Sequence, residues 1–224
     1  MKDKKTPWVT TTNRYVAFLD IMGFKDMVAR MSHKEIYEKL NAINDAQSQI
    51  SFDDVYITKF SDSIVIFSRN EYSLISFRAV VNYIFVNCII NAIPIKGAIA
   101  FGEISVNKSK AIFFGQPLID AYLLEEDLHY YGIACHHSAE VKMKEDERNL
   151  FLSNYFEKLT PFKSGMINHI NLNWFKYAIE DYYWDNTDSK YRIRNYITDL
   201  YRNVSGAPRK YIDNTLKMFD EIII

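Results

Sequence analysis

Two hydrophobic periods alternate along this chain. Residues 14–19 form a short run rich in aromatic and apolar side chains that ends at Asp20, and Gly23 then marks a turn. A helix is predicted to begin near Phe24. A second begins at Ser32, where Ser32-His33-Lys34-Glu35 has the spacing of a capping box. Ile36, Leu40, Ile43 and Ile50 give it one apolar stripe. Residues 55–68 read as a strand hairpin. Residues 73–91 read as a long buried helix, because Leu74, Phe77, Val81, Ile84, Phe85 and Cys88 recur at helical spacing. After Pro94 a strand covers 95–104. Gly97 and Gly102 are costly inside a strand and point to another backbone, or a ligand, coming close. A polar loop at 107–110 leads to a strand at 111–114, a helix at 117–128 with proline in its first turn, and a short strand at 130–135.

The order β-α-α-β-β-α-β-β-α-β is that of an α+β fold with the split βαβ, ferredoxin-like pattern, expected as an antiparallel sheet with helices on one face. Beyond His136 the texture changes. Residues 142–148 are a charge run that reads as a solvated surface. Residues 174–184 are dense in aromatics, including Tyr177, Tyr182, Tyr183 and Trp184, and are assigned to packing rather than to base stacking. Residues 191–204 and 209–222 read as two helices around Ser205-Gly206-Ala207-Pro208. The chain is therefore divided into a core at 1–148 and a helical C-terminal extension at 149–224, packed on the core or on a partner.

Composition narrows the function classes. With 48% hydrophobic residues in 224, the chain can bury a sizeable core. Its net charge of −1 supplies no global field for nucleic acid or an anionic membrane surface, so any phosphate binding must be local. The two cysteines, Cys88 and Cys135, read as reduced core thiols. The N-terminal stretch lacks the apolar segment of a signal peptide, and the most apolar window, 80–99, is interrupted by Asn82, Asn87, Asn91, Pro94 and Lys96. A cytoplasmic location is expected.

The candidate chemistry lies at two strand ends. Phe60-Ser61-Asp62-Ser63 is a tight turn that presents one carboxylate, and the 14–19 strand delivers Asp20. Two carboxylates at one sheet edge suit a hard divalent cation, which is held by one or two acids together with substrate phosphates. His136-His137 has no third ligand at useful spacing. No Walker loop, dinucleotide fingerprint or Ser/His/Asp order is present.

Phe18-Leu19-Asp20-Ile21-Met22-Gly23-Phe24, Phe60-Ser61-Asp62-Ser63, the 96–102 segment Lys-Gly-Ala-Ile-Ala-Phe-Gly and the 114–125 segment beginning Phe114-Gly115-Gln116-Pro117 together resemble a class III nucleotidyl cyclase core. The likeness is strongest to the bacterial antiphage pyrimidine cyclases of the Pycsar type, with a weaker cue at Lys210-Tyr211-Ile212-Asp213-Asn214-Thr215. The resemblance implies that Asp20 and Asp62 bind two Mg²⁺ or Mn²⁺ ions, with the main-chain carbonyl of Ile21 as a further ligand. It also implies in-line attack of the ribose 3′-hydroxyl with loss of pyrophosphate. Backbone N–H groups of Met22, Gly23 and Phe24 are expected to face the phosphates. Lys96 and Lys59 are expected to offset triphosphate charge. The implied enzyme is a head-to-tail homodimer whose cyclic nucleotide activates a separate effector protein.

Two departures from the purine-specific members bear on the base. They carry a Lys and an Asp that read adenine, and the corresponding positions here are Thr58 and Ile112. An apolar Ile112 accepts no bond from an exocyclic amine, which agrees with a pyrimidine. UTP and CTP differ by one carbonyl or amine, so both remain open. Ile119 and Leu123 stand where the class places a transition-state Asn and Arg, so either Lys96, Tyr122 or Arg78 serves, or catalysis is slow, or activity is lost. The competing readings are a silent cyclase-like binding module and a diguanylate cyclase. The latter lacks its Gly-Gly-Asp/Glu-Glu-Phe turn here.

Overall fold

β1 (Thr11–Ile21) is the organising strand because apolar side chains alternate on both of its faces, and both are covered. The computed structural model describes residues 8–49, 53–146, 154–182 and 188–222. Ile50, Arg148, Tyr183 and Trp184 from the reading above lie outside the described residues. α1 (Phe24–Arg30) and α2 (His33–Gln49) follow β1, then the hairpin β2 (Val55–Phe60) and β3 (Ser63–Ser68). α3 (Leu74–Ile90), β4 (Ile95–Asn107), β5 (Ile112–Phe114), α4 (Gln116–Asp127) and β6 (Ile133–Cys135) complete the expected order.

The capping box closes α2: the Ser32 N–H donates to the Glu35 carboxylate at 2.8 Å, and the Glu35 N–H to Ser32 Oγ at 3.3 Å. Strands β4-β1-β3-β2 lie side by side in the ferredoxin-like order, antiparallel throughout. β6 joins β4 in parallel through the α4 crossover. Gly97 allows β4 to approach β1, since a Cβ there would lie 2.2 Å from Leu19 Cδ2 and 2.9 Å from the Phe18 carbonyl. At Gly102 the near neighbour is Pro117 Cγ, 3.0 Å from an added Cβ.

The helices do not share one face, contrary to expectation. Tyr15 stacks on Phe77 of α3, whereas Phe18, of opposite parity on β1, meets Tyr122 of α4 edge-on at 5.3 Å. The crossover to a parallel strand places α4 on the second face.

Past α5 (His137–Asp146) the chain adds a hairpin, β7 (Tyr155–Phe162) and β8 (Gly165–Leu172), that the sequence reading did not foresee. It extends the sheet to eight strands in the order β2-β3-β1-β4-β6-β8-β7, with β5 on the far end of β4. A buried polar net holds it: Tyr130 Oη donates to Asn171 Oδ1 at 2.7 Å, and Asn171 Nδ2 donates to Thr160 Oγ1 at 2.7 Å. The rest of the extension is helical. A turn at Trp174–Lys176 runs into a π-helix at Tyr177–Tyr182, then α6 (Ser189–Asp199), a 3₁₀ turn at Leu200–Asn203 and α7 (Arg209–Ile222). Trp174 is fully buried against Phe85, as the packing reading of this aromatic stretch requires. Among the described residues no helix is long and apolar enough to cross a membrane.

Candidate active site

The two acids come together because a tight hairpin is stapled to the end of β1. Phe60 pairs with Ser63, so Ser61 and Asp62 alone form the turn, and Ser61 takes a left-handed φ of 55° to close it. Ile21 N–H donates to the Asp62 carbonyl at 3.0 Å, fixing the turn against the strand end. Asp20 lies directly opposite Ser63 on β3 and Lys96 on β4.

The charge balance there is unfavourable. Burial, then Glu125, then Asp62 push the Asp20 carboxyl up to about 7, against the opposing pull of Lys96 and a hydrogen bond from Ser63. Carboxylates outnumber cations around Asp20, which fits a site built for an added cation. Among the described residues no three acidic, histidine or cysteine side chains form a cage for an ion. Two acids without a cage match a cation that completes its shell with water and phosphate oxygens, as Mg²⁺ does. Asp20 and Asp62 are the residues that would hold it. Ile21 is buried by its side chain, so only its main chain is placed to contribute.

Other expected residues are placed differently. The Met22 N–H is committed to the Pro94 carbonyl at 2.8 Å, so it does not face phosphate; the N–H groups of Gly23 and Phe24, at the start of α1, have no backbone partner among the described residues. Gly23 adopts φ 73°, ψ 18°, which suits glycine. Lys96 is 3% exposed and its ammonium lies 3.0 Å from Glu125 Oε1. It also donates to the carbonyls of Glu125, Glu126 and Leu128 at 2.6, 3.2 and 3.2 Å, leaving no part of it for a triphosphate. Lys59 pairs across from Ile64, on the sheet face that packs α3, and has Cys88 as its electrostatic neighbour; Asp20 uses the other face. Arg78 belongs to α3, also behind the sheet.

Thr58 shares the Asp20 face, in register with Val65 and Phe18. Ile112 pairs with Asn107, eleven positions along β4 from Lys96, so it lies on the order of 30 Å from the Asp20 end of its own chain. Of the proposed transition-state groups, Tyr122, edge-on to Phe18, and Lys96, opposite Asp20, share the Asp20 face, and of the two Lys96 is taken up by the end of α4.

Glu125 is the residue that the sequence reading missed. Pro117, Ala121 and Glu125 form the buried stripe of α4, and an acid on a buried stripe is the signal that would have found it.

No protein-family model matches this sequence, and no curated protein does. Among solved structures, the chain is similar to a bacterial light-regulated adenylyl cyclase with a TM-score of 0.54 at 14% identity, covering 84% of this chain and 100% of that one. It is similar to a Trypanosoma brucei adenylate cyclase with a TM-score of 0.54 at 12% identity, covering 77% and 94% of the two chains. Adenylyl cyclase CyaB from P. aeruginosa gives 0.52 at 14% identity, covering 72% and 94%. Likeness at these identities is a likeness of fold: the chain has the class III nucleotidyl cyclase fold.

Proposed function

We propose that this protein is a pyrimidine nucleotide cyclase, converting UTP, with CTP as the alternative, to the 3′,5′-cyclic monophosphate and pyrophosphate. The observation that carries the reading is the meeting of Asp20 and Asp62 where β1 ends against the β2–β3 turn. The ribose 3′-oxygen forms a bond to the α-phosphorus as the bond from that phosphorus to the pyrophosphate oxygen breaks, and the hydroxyl proton passes to solvent or a nearby base. Bound divalent ions, Mg²⁺ or Mn²⁺, supply charge stabilisation for the attacking and leaving oxygens. The chain's own residues hold those ions through Asp20 and Asp62 and offer the Gly23 and Phe24 N–H groups to phosphate. Since Lys59 and Lys96 are engaged elsewhere, Arg30, which borders a cleft of about 310 Å³ that includes Met22 and Gly23, is the better candidate to offset triphosphate charge; Lys39 and Arg202 border the same cleft but bond the Asn91 carbonyl and the Asp199 carboxylate.

Ile112 bears on both base and assembly. It offers no acceptor to an adenine amine, and its distance from Asp20 means that a base contact from it must come from a second copy. Phe60, Ile112, Phe114, Ile119, Tyr122 and Leu123 are exposed apolar residues of the hairpin tip, β5 and α4 (Phe60 at 84%), and a head-to-tail homodimer would cover such a surface. The cyclic nucleotide then serves as a messenger to a separate effector in antiphage defence, a role that rests on the Pycsar resemblance. A silent nucleotide-binding module is the second reading, favoured by the apolar Ile119 and Leu123 at the expected polar positions. Incubation with each of the four NTPs and Mn²⁺, followed by mass analysis, decides between them. Cyclic UMP or CMP from wild type, and none from Asp20→Ala or Asp62→Ala, supports the enzyme; no cyclic product from any NTP supports the module.

A further inference from the structure

The Lys96–Glu125 ion pair is buried on both sides, each side chain 4% exposed, in register with a metal-site acid. Such a pair costs desolvation of two charges and is weak evidence of stabilisation by itself, so its location matters more than its existence. The ammonium caps the last carbonyls of α4, adding to the Leu128 N–H that already donates to the Glu125 carbonyl at 3.1 Å. Glu125 Oε1 lies 3.0 Å from the ammonium, a direct contact between the two charges. That carboxylate is also, after burial, the strongest influence raising the neighbouring Asp20.

A second layer holds the pair from behind. The Tyr211 ring of α7 lies 5.9 Å from Lys96 Nζ and stacks on Tyr131 with centroids 5.7 Å apart. Thr215 Oγ1 accepts from the Tyr131 N–H at 2.8 Å, and Asn214 Nδ2 donates to the His129 carbonyl at 2.7 Å. The C-terminal helix thus grips the segment joining α4 to β6, whose Leu128 carbonyl also receives Lys96.

We propose that Lys96 and Glu125 are positioning residues that fix Asp20 for metal binding, and that Tyr211 of the C-terminal helix holds them in place. The inference rests on the metal role of Asp20 and adds what the extension does for that site. A purely structural helix cap would affect stability alone. A positioning network must also affect how well the site takes an ion when the fold is intact.

The test is Mn²⁺ titration of the full chain, followed by loss of the free-ion electron paramagnetic resonance signal, alongside thermal unfolding. Lys96→Met with Glu125→Gln replaces the pair by neutral groups of similar size. This variant is expected to melt within a few degrees of wild type yet to bind Mn²⁺ about tenfold more weakly. Tyr211→Leu leaves the pair intact, guards against misfolding of the double variant, and is expected to weaken Mn²⁺ binding about threefold. Wild-type Mn²⁺ affinity in the folded variants overturns the inference alone. A wild-type chain that binds no Mn²⁺, or binds it equally well as Asp20→Ala, overturns the metal reading beneath it as well.

Discussion

Replacing Asp20 by Asn should make the metal-free protein more stable, although Asp20 is the residue on which function is proposed to depend. Folding lifts this carboxyl from 3.8 to about 7 because burial, Glu125 and Asp62 all disfavour its ionised form. At about 1.36 kcal/mol per pH unit, that difference corresponds to about 4 kcal/mol for a wholly buried group. Asp20 retains solvent contact, and screening lowers the figure to roughly 2 kcal/mol. The folded state binds this proton more tightly than the unfolded chain does, so stability falls as pH rises through the window between about 4 and 7. Above it the cost of the ionised acid is fully present; below it the cost is absent. Asp20→Asn removes that cost, so at pH 8 in EDTA it should raise the melting temperature by roughly 4–8 °C for a chain of this size. At pH 4 the two proteins should melt together. Added Mn²⁺ at pH 8 should then stabilise wild type and leave Asp20→Asn unmoved. If Asp20→Asn is less stable than wild type at pH 8 without metal, the aspartate is satisfied by Lys96. The argument for an ion-binding role then fails.

Further outcomes follow from the same geometry. Because Asp20 must lose its proton to take an ion, apparent Mn²⁺ affinity should rise about tenfold per pH unit up to about 7 and level off above, as calorimetry can show; a flat profile from pH 5 to 8 contradicts this. Gly97→Ala drives a methyl to 2.2 Å from Leu19 Cδ2 and 2.9 Å from the Phe18 carbonyl, so denaturant unfolding should show a loss of about 1–3 kcal/mol; an unchanged midpoint would mean that β1 and β4 are further apart than described. Leu123→Glu places a charge on an exposed α4 position, 55% accessible, and should leave the melting temperature within about 2 °C while abolishing self-association in sedimentation and, with it, turnover. An associated, active Leu123→Glu protein would count against the head-to-tail assembly.

The parts of the fold visible in the sequence were those set by local chemistry. Ser32 and Glu35 cap α2 by the bonds their spacing implies, the long apolar helix ends where Ser73 and Asn91 stand, and Gly97 marks a close strand approach. The hairpin tip at Asp62 was legible because a two-residue turn leaves little choice of register. What was hidden depended on partners distant in sequence. Val55-Tyr-Ile-Thr-Lys-Phe60 has no clean polar alternation, so the face on which Lys59 lies is settled only by pairing with Ile64. Lys96 reads as a free cation until Glu125, twenty-nine positions on, is folded against it. β7 and β8 went unread because Pro161 and the inward Asn171 break a strand pattern that the buried Tyr130–Asn171–Thr160 bonds restore.

The central claim is that Asp20 and Asp62 share divalent ions beneath a triphosphate. Crystals grown with Mn²⁺ and a non-hydrolysable pyrimidine triphosphate, measured for anomalous scattering at the manganese edge, address it directly. The account predicts manganese between the two carboxylates, within about 2.2 Å of an oxygen from each and bridging to phosphate. Nucleotide bound with manganese elsewhere, or with Asp20 turned onto Lys96 and free of metal, would contradict it.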